Sequence, residues 1–268
     1  MKNKNKDFIS LYKQMYQDNP WKMAPFAFWK MKELFEEATV HFHEETRAYM
    51  PVRDNHLVTI MAENTPTIEN VDYNSLDCIT IREDQFSLIK DELKGFNKAE
   101  IEPLYYNFTT KLESTLSNDY SVVEFDFNNI EHYQKAAEII NEDLGRFFSD
   151  RNIKKMTSFY TFDPKLWFFI RDKKEDELIG ISVSTFEQDV KEVDIDWMYI
   201  RTRYHKKGIG RFMIEETVRR SKGAKIIRVS GKNEFYKKCG FAPRGIWVWL
   251  AKPDYSLYAP AIQPNITE

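Results

Sequence analysis

The stretch Tyr199-Ile-Arg-Thr-Arg-Tyr-His-Lys-Lys-Gly-Ile-Gly-Arg211 constrains this chain more than any other. An apolar strand there runs into a glycine turn that opens an amphipathic helix. The first N–H groups of a helix have no partner inside it and point at whatever lies ahead, which favours an anion. Gly208 and Gly210 lack the Cβ atoms that would keep a ligand from the backbone, and Lys206, Lys207 and Arg211 add positive charge around Ile209. The order strand, turn, helix suits a pyrophosphate.

Charge follows the same segment. Residues 201–238 hold 13 Lys/Arg against 3 Asp/Glu, whereas the whole chain holds 39 against 42. An acidic chain that gathers its cations around one glycine turn is expected to bind a compact polyphosphate. A nucleic acid would need an extended basic face, so no nucleic-acid partner is expected.

The 268 residues, 42% hydrophobic and 15% aromatic, suffice for one large domain or two modest ones. No apolar run reaches the roughly 18–20 residues that span a bilayer, and the start Met-Lys-Asn-Lys-Asn-Lys-Asp lacks the apolar stretch of a signal peptide. A cytoplasmic protein with no membrane partner is expected. Cys78 and Cys239 have neither the number of a disulfide framework nor the spacing of a zinc site, so no metal is expected.

Periodicity places a seam at residues 115–120, giving an accessory α/β domain over 1–118 and a second domain over 119–268. In the first, helices are expected near 6–17, 24–39, 84–94 and 98–116, with strands near 56–62 and 76–81. Its Trp21, Phe26, Phe28, Trp29 and Phe35 read as core. In the second, a strand over 121–127 and a helix over 130–141 lead to three antiparallel strands, 165–171, 178–186 and 192–200. A helix over 209–221, a strand over 225–229 and a last strand over 245–250 follow.

Two segments carry a family resemblance. Val193-Asp-Ile-Asp-Trp-Met-Tyr-Ile-Arg-Thr-Arg-Tyr-His-Lys-Lys-Gly-Ile-Gly210 resembles motif A of the GCN5-related N-acetyltransferases, in which a Gln/Arg-x-x-Gly-x-Gly/Ala loop follows the fourth strand. Arg228-Val-Ser-Gly-Lys-Asn-Glu-Phe-Tyr-Lys-Lys-Cys-Gly-Phe241 resembles the family's fifth strand and its Tyr-x-Lys-x-Gly-Phe segment. The resemblance spans about residues 120–252. It departs at His205, where the family has Gln or Arg, and in the short segment before Tyr236, where Val229 takes the place of a family Asn whose role Asn233 cannot inherit.

The resemblance implies a mixed, mostly antiparallel twisted sheet flanked by helices, preceded here by the smaller α/β domain. It implies acetyl-CoA as cosubstrate, its phosphates on the loop from His205 to Arg211 and its pantetheine arm on free backbone groups of Met198, Tyr199 and Ile200. Tyr236 matches the tyrosine that protonates the departing thiolate, which a phenol with a reference pKa near 10 can do at neutral pH.

For the base, strand alternation puts Asp194, Asp196, Met198 and Ile200 on one face and Val193, Ile195, Trp197 and Tyr199 on the other. Asp194 matches the position of the family's base glutamate, and Asp196 lies one pleat nearer the thioester. The expected acceptor is a primary amine of a small molecule, with a protein lysine or N-terminus, or a non-catalytic acyl-CoA sensor, as the other readings. Nothing in the sequence speaks to oligomeric state.

Overall fold

The computed structural model describes residues 2–44, 47–61, 72–144, 148–230, 234–253 and 255. The chain separates into two compact units, one of residues 1–104, 230–232 and 243–268, the other of residues 105–229 and 233–242. This differs from the division expected at 118/119: the chain changes unit earlier and returns at its end. Asn233 lies outside the described residues.

In the first unit, helices α1 (Lys2–Asp18), α2 (Pro20–Met23) and α3 (Phe28–Glu37) precede strands β1 (Thr39–His43), β2 (Ala48–Arg53), β3 (His56–Leu57) and β4 (Cys78–Arg82), then helix α4 (Glu83–Ile89) and strand β5 (Asn97–Ile101). The helix expected over 24–39 starts late because Pro25 interrupts it, and the chain turns extended at Thr39, the first of the β-forming run Thr39-Val40. Phe28, Trp29 and Phe35 are buried as expected, the first and last against Tyr12.

The helix expected over 98–116 does not form. Residues 97–106 make β5 and β6 (Pro103–Tyr106), because Pro103 cannot continue a helix and Tyr105 and Tyr106 favour a strand.

The second unit continues through β7 (Tyr120–Glu124), α5 (Ile130–Leu144), α6 (Asp150–Met156), β8 (Phe168–Asp172), β9 (Glu177–Glu187), β10 (Glu192–Ile200), α7 (Ile209–Arg220), β11 (Ile226–Ser230), α8 (Glu234–Lys238) and β12 (Phe241–Pro243). The last described strand is β13 (Trp247–Ala251).

Strand order shows why the division differs. The six-stranded sheet runs β1-β2-β3-β4-β13-β5 and the seven-stranded sheet β12-β6-β11-β10-β9-β8-β7. Each holds an adjacent parallel pair, β3 with β4 and β10 with β11. In each, the next strand comes from the other half of the sequence: β13 inserts between β4 and β5, and β6 between β11 and β12. Strands β5 and β6 are separated by Glu102 alone, yet they part to different sheets, as do β12 and β13. The last strand, expected in the second domain, therefore completes the first unit's sheet, where Val248 and Leu250 join a core of Leu57, Ile79 and Ile81.

The seven-stranded sheet packs α7 on one face, where Ile209 and Met213 meet Phe168, Ile170 and Ile179. Ser182 and Thr217 share a hydrogen bond of 3.1 Å on that face. Helix α5 packs against β9 and β10, burying Ala136 and Ile140.

Candidate functional site

Strand β10 positions the site, and its register changes midway. Asp194 pairs with Thr185 and Ile195 with Ser184, but the next partner, Val183, meets Trp197, leaving Asp196 as an extra residue. A bulge inverts the alternation of everything beyond it. Met198 and Ile200 now oppose Ser182 and Gly180, on the face of Val193 and Ile195, and pack toward α7. Trp197 and Tyr199 lie on the face of Asp194. The expected grouping of Asp194 and Asp196 with Met198 and Ile200 is thus corrected. Asp196 remains with Asp194, because its Oδ2 accepts a 2.9 Å hydrogen bond from Thr185 Oγ1 on that face.

The two carboxylates differ in surroundings. Asp194 is buried, and its Oδ1 lies 3.7 Å from Nε of Arg228, a guanidinium with no exposed surface. Arg228 also sits 5.6 Å from the ring centroid of Tyr105. Asp196 is half-buried. Asp194 is thus engaged by a buried guanidinium, whereas Asp196 is reached by the Thr185 hydroxyl.

Beyond that pair, β10 and β11 separate. They are in register only from Glu192 with Ile226 to Asp194 with Arg228, whereas β10 continues along β9 to Ile200 with Gly180. The edge of β10 away from β9 is left without a strand over 195–200 among the described residues. Arg201 N–H donates to Ile179 O, so the antiparallel alternation turns the backbone of Tyr199 toward β9 and that of Met198 and Ile200 toward the gap. Of Met198, Tyr199 and Ile200, it is therefore Met198 and Ile200 whose backbone faces the gap. Ile200 offers its N–H, since its carbonyl accepts from His205 Nε2 at 2.9 Å. That bond gives His205 a part in closing the loop.

The glycine turn opens α7 as expected. Gly208 is its N-cap at φ 81°, Lys206 precedes it at φ 62°, and the first turn carries no side-chain cap and no acidic residue. Its leading N–H groups therefore face outward. Gly210 serves packing: a Cβ there would lie 3.0 Å from Phe235 Cζ and 3.3 Å from Ile200 Cδ1, so the glycine lets α8 seat its aromatic ring on the first turn of α7. Lys207 Nζ lies 4.7 Å over the Tyr204 ring, and Arg211 pairs with buried Glu215 at 3.0 Å.

Part of the sequence-local excess of cations is matched in space by acids from other segments. Arg201 meets Glu138, Glu142 and Glu177 at 2.5, 2.9 and 3.2 Å. Arg203 also pairs with Glu177. Arg220 meets Glu124 at 2.6 Å and Glu216 at 2.8 Å. Lys206 and Lys207 stay exposed at the turn itself.

Tyr236, on α8, packs between Phe235 and Phe241. Burial, and then the nearby phenol of Tyr199, push its hydroxyl up to about 12. It stays a proton donor throughout the physiological range. Phe235, which reads as core beside Tyr236 in the sequence, packs on Gly210, whereas sequence patterning gave no sign of Thr185 or Arg228, because each depends on cross-strand register.

Among the described residues no group of His, Cys, Asp and Glu is placed to hold a metal, and no helix is long and apolar enough to cross a membrane.

Residues 164–243 match the family model described as acetyltransferase (GNAT) domain. No curated protein matches the chain. Among solved structures, a GCN5-related N-acetyltransferase from Sphaerobacter thermophilus superposes with a TM-score of 0.62 at 13% identity, covering 84% of each chain. A GNAT-family acetyltransferase from Colwellia psychrerythraea gives 0.62 at 12% identity, covering 91% of this chain and 96% of its own. A tandem GNAT protein from the clavulanic acid biosynthesis pathway gives 0.54 at 9% identity, covering 87% and 90%. At these identities the likeness is one of fold.

Proposed function

We propose that this chain, whose second unit carries an acetyltransferase domain of the GNAT family, is an acetyl-CoA-dependent N-acetyltransferase acting directly on a primary amine of a small molecule. The observation that carries the reading is the separation of β10 from β11 beyond Asp194 and Arg228, next to an uncapped helix start at Gly208. A gap whose edge has no strand partner among the described residues suits the amide-rich pantetheine arm, and the helix start suits the pyrophosphate.

Chemically, the amine nitrogen attacks the thioester carbonyl, the C–S bond breaks, and the CoA thiolate takes a proton. Asp196 accepts the proton lost by the amine, directly or through water, and Tyr236 supplies the one needed by sulfur. Backbone N–H groups of Met198 and Ile200 line the gap as hydrogen-bond donors for the arm and for the thioester oxygen. The acidic face around Asp194 and Asp196 favours a cationic acceptor. A cytoplasmic location belongs to the same proposal, as does the absence of a nucleic-acid partner, which is supported by the ion pairs that engage Arg201, Arg203 and Arg220.

The test is calorimetric titration of acetyl-CoA into the wild type and the Gly208→Glu, Gly210→Glu double variant, alongside thiol release with a panel of amines. Binding lost in the variant, with thiol release for one amine class, is expected. Binding without turnover across small amines, peptides and protein substrates indicates a sensor. No binding by the folded wild type overturns the reading.

A further inference from the structure

Thr185 is the residue to which the site's geometry points once Asp196 is taken as base. The hydroxyl of this residue donates to Asp196 Oδ2 at 2.9 Å, and its backbone is held on both edges. One edge pairs with Asp194 of β10, and the other bridges to Phe162, beside a 2.7 Å bond from Phe186 N–H to Thr161 O. A β-branched side chain on a backbone held from both sides has little freedom at χ1, so its hydroxyl is fixed before any substrate arrives. Thr185 is 1% exposed, so water does not compete for it.

The hydrogen bond is also the device that a bulge requires. Asp196 has no cross-strand Cα partner in the register, and its side chain needs another anchor to keep one orientation. We propose that Thr185 is the positioning residue of this site, orienting the Asp196 carboxylate and keeping it ionised so that it can act as general base. The inference rests on the acetyltransferase reading above.

Other charged groups bear on Asp196. On its own face the sheet brings Glu187, Glu192 and Asp194, together with Arg228, and the phenols of Tyr105 and Tyr199. Helix α5, packed against β9 and β10, carries Glu138 and Glu142, both engaged by Arg201. Helix α7, on the opposite face, carries Arg211, Glu215, Glu216, Arg219 and Arg220, which pair among themselves or with Glu124. A hydrogen bond donated to a carboxylate favours its charged form, and the Thr185 hydroxyl supplies one to Asp196.

The experiment compares the wild type, Thr185→Val and Thr185→Ser, with an amine that the wild type acetylates. Valine keeps shape and volume and removes the hydroxyl, and serine keeps the hydroxyl. For Thr185→Val, kcat is expected to fall about fivefold or more, and the acid limb of the kcat/KM profile to move up by about half a pH unit. The sign follows because a hydrogen bond to the carboxylate stabilises its charged form. Thr185→Ser should restore most of both, and acetyl-CoA affinity should stay within about twofold in all three, which also reports folding.

A fall in kcat with an unmoved acid limb, or a serine variant as impaired as valine, overturns the inference and leaves Thr185 a packing residue. Should valine lose acetyl-CoA binding, Thr185→Ser alone decides: a wild-type limb sustains the proposal and a shifted one overturns it. Failure of the underlying reading is seen separately, as a wild type that releases no thiol with any amine.

Discussion

Asp194 and Arg228 face each other on the last rung that β10 and β11 share, 3.7 Å apart, and the strands separate immediately beyond them. A buried ion pair at the apex of a splayed strand pair acts first on structure. Removing one partner leaves a charge in a medium that cannot solvate it.

Asp194→Ala should therefore cost about 3 kcal/mol of stability, read by denaturant unfolding. Under conditions where the variant remains folded, the acid limb of its pH profile should match the wild type. Asp196→Asn should behave in the opposite way, with kcat down by about 10²-fold and stability nearly unchanged. A stable Asp194→Ala with no turnover would return the base to Asp194.

The two glycines of the turn separate by different tests. Gly208 sits at φ 81° with open space where a methyl would stand, so Gly208→Ala is strained by about 1–2 kcal/mol through backbone alone. Gly210→Ala instead drives a methyl toward the Phe235 ring, 3.0 Å away. Trimming that ring in Gly210→Ala, Phe235→Leu should recover acetyl-CoA affinity, whereas Gly208→Ala, Phe235→Leu should not. Equal recovery in both would show that the Phe235 contact is not what Gly210 serves.

Much of this site was legible from spacing, and the illegible part has a common physical cause. The strand, the glycine turn and the helix of residues 193–220 follow from local pattern, since each is fixed by neighbours in sequence. The face on which Met198 lies does not, because one extra residue at Asp196 inverts it and a bulge leaves no local signature in Ile195-Asp196-Trp197. Likewise Trp247-Val-Trp-Leu-Ala251 reads as a strand, but nothing in it names the sheet it joins. The cation excess of residues 201–238 misled in one respect, since its partners, Glu124, Glu138, Glu142 and Glu177, come from distant segments.

Tyr236 should act as an acid without limiting the alkaline range. With its hydroxyl pushed up to about 12, it remains protonated at every pH at which the enzyme can be assayed conveniently. Tyr236→Phe should lower kcat about tenfold or more with acetyl-CoA affinity retained, and the wild-type rate should show no alkaline decline attributable to a phenol below about pH 11. A variant with unchanged kcat would reduce Tyr236 to packing against Phe241.

His56 supplies a pH dependence in the first unit. It is buried, bonded through Nε2 to Thr80 Oγ1 at 2.9 Å, and burial, with the charge of Arg53, lowers it from 6.5 to about 4. Its folded value lies below the unfolded one, so between about pH 6.5 and 4 the unfolded chain binds the proton more readily and stability falls with pH. The loss across that window is about 3 kcal/mol. Thermal melts of the wild type should drop over it, and those of His56→Gln should flatten. Parallel slopes would remove His56 as the cause.

The chain's end should matter to the fold of its beginning. β13 pairs along its whole length with β4 on one edge and β5 on the other, and its Val248 and Leu250 are buried in the core of the six-stranded sheet. Stopping the chain at Ile246 removes an interior strand, leaves both neighbours with unpaired backbone groups and opens that core. Burial of two large aliphatic side chains is worth about 3–6 kcal/mol, before the lost strand pairing is counted. Hydrogen exchange should then show amides of Cys78–Arg82 and Asn97–Ile101 exchanging freely, although they lie far from the cut in sequence. Val248→Asp in the full chain should reproduce the loss by burying an unpaired charge. Retained protection of those amides in both variants would mean that the first unit's sheet holds without β13.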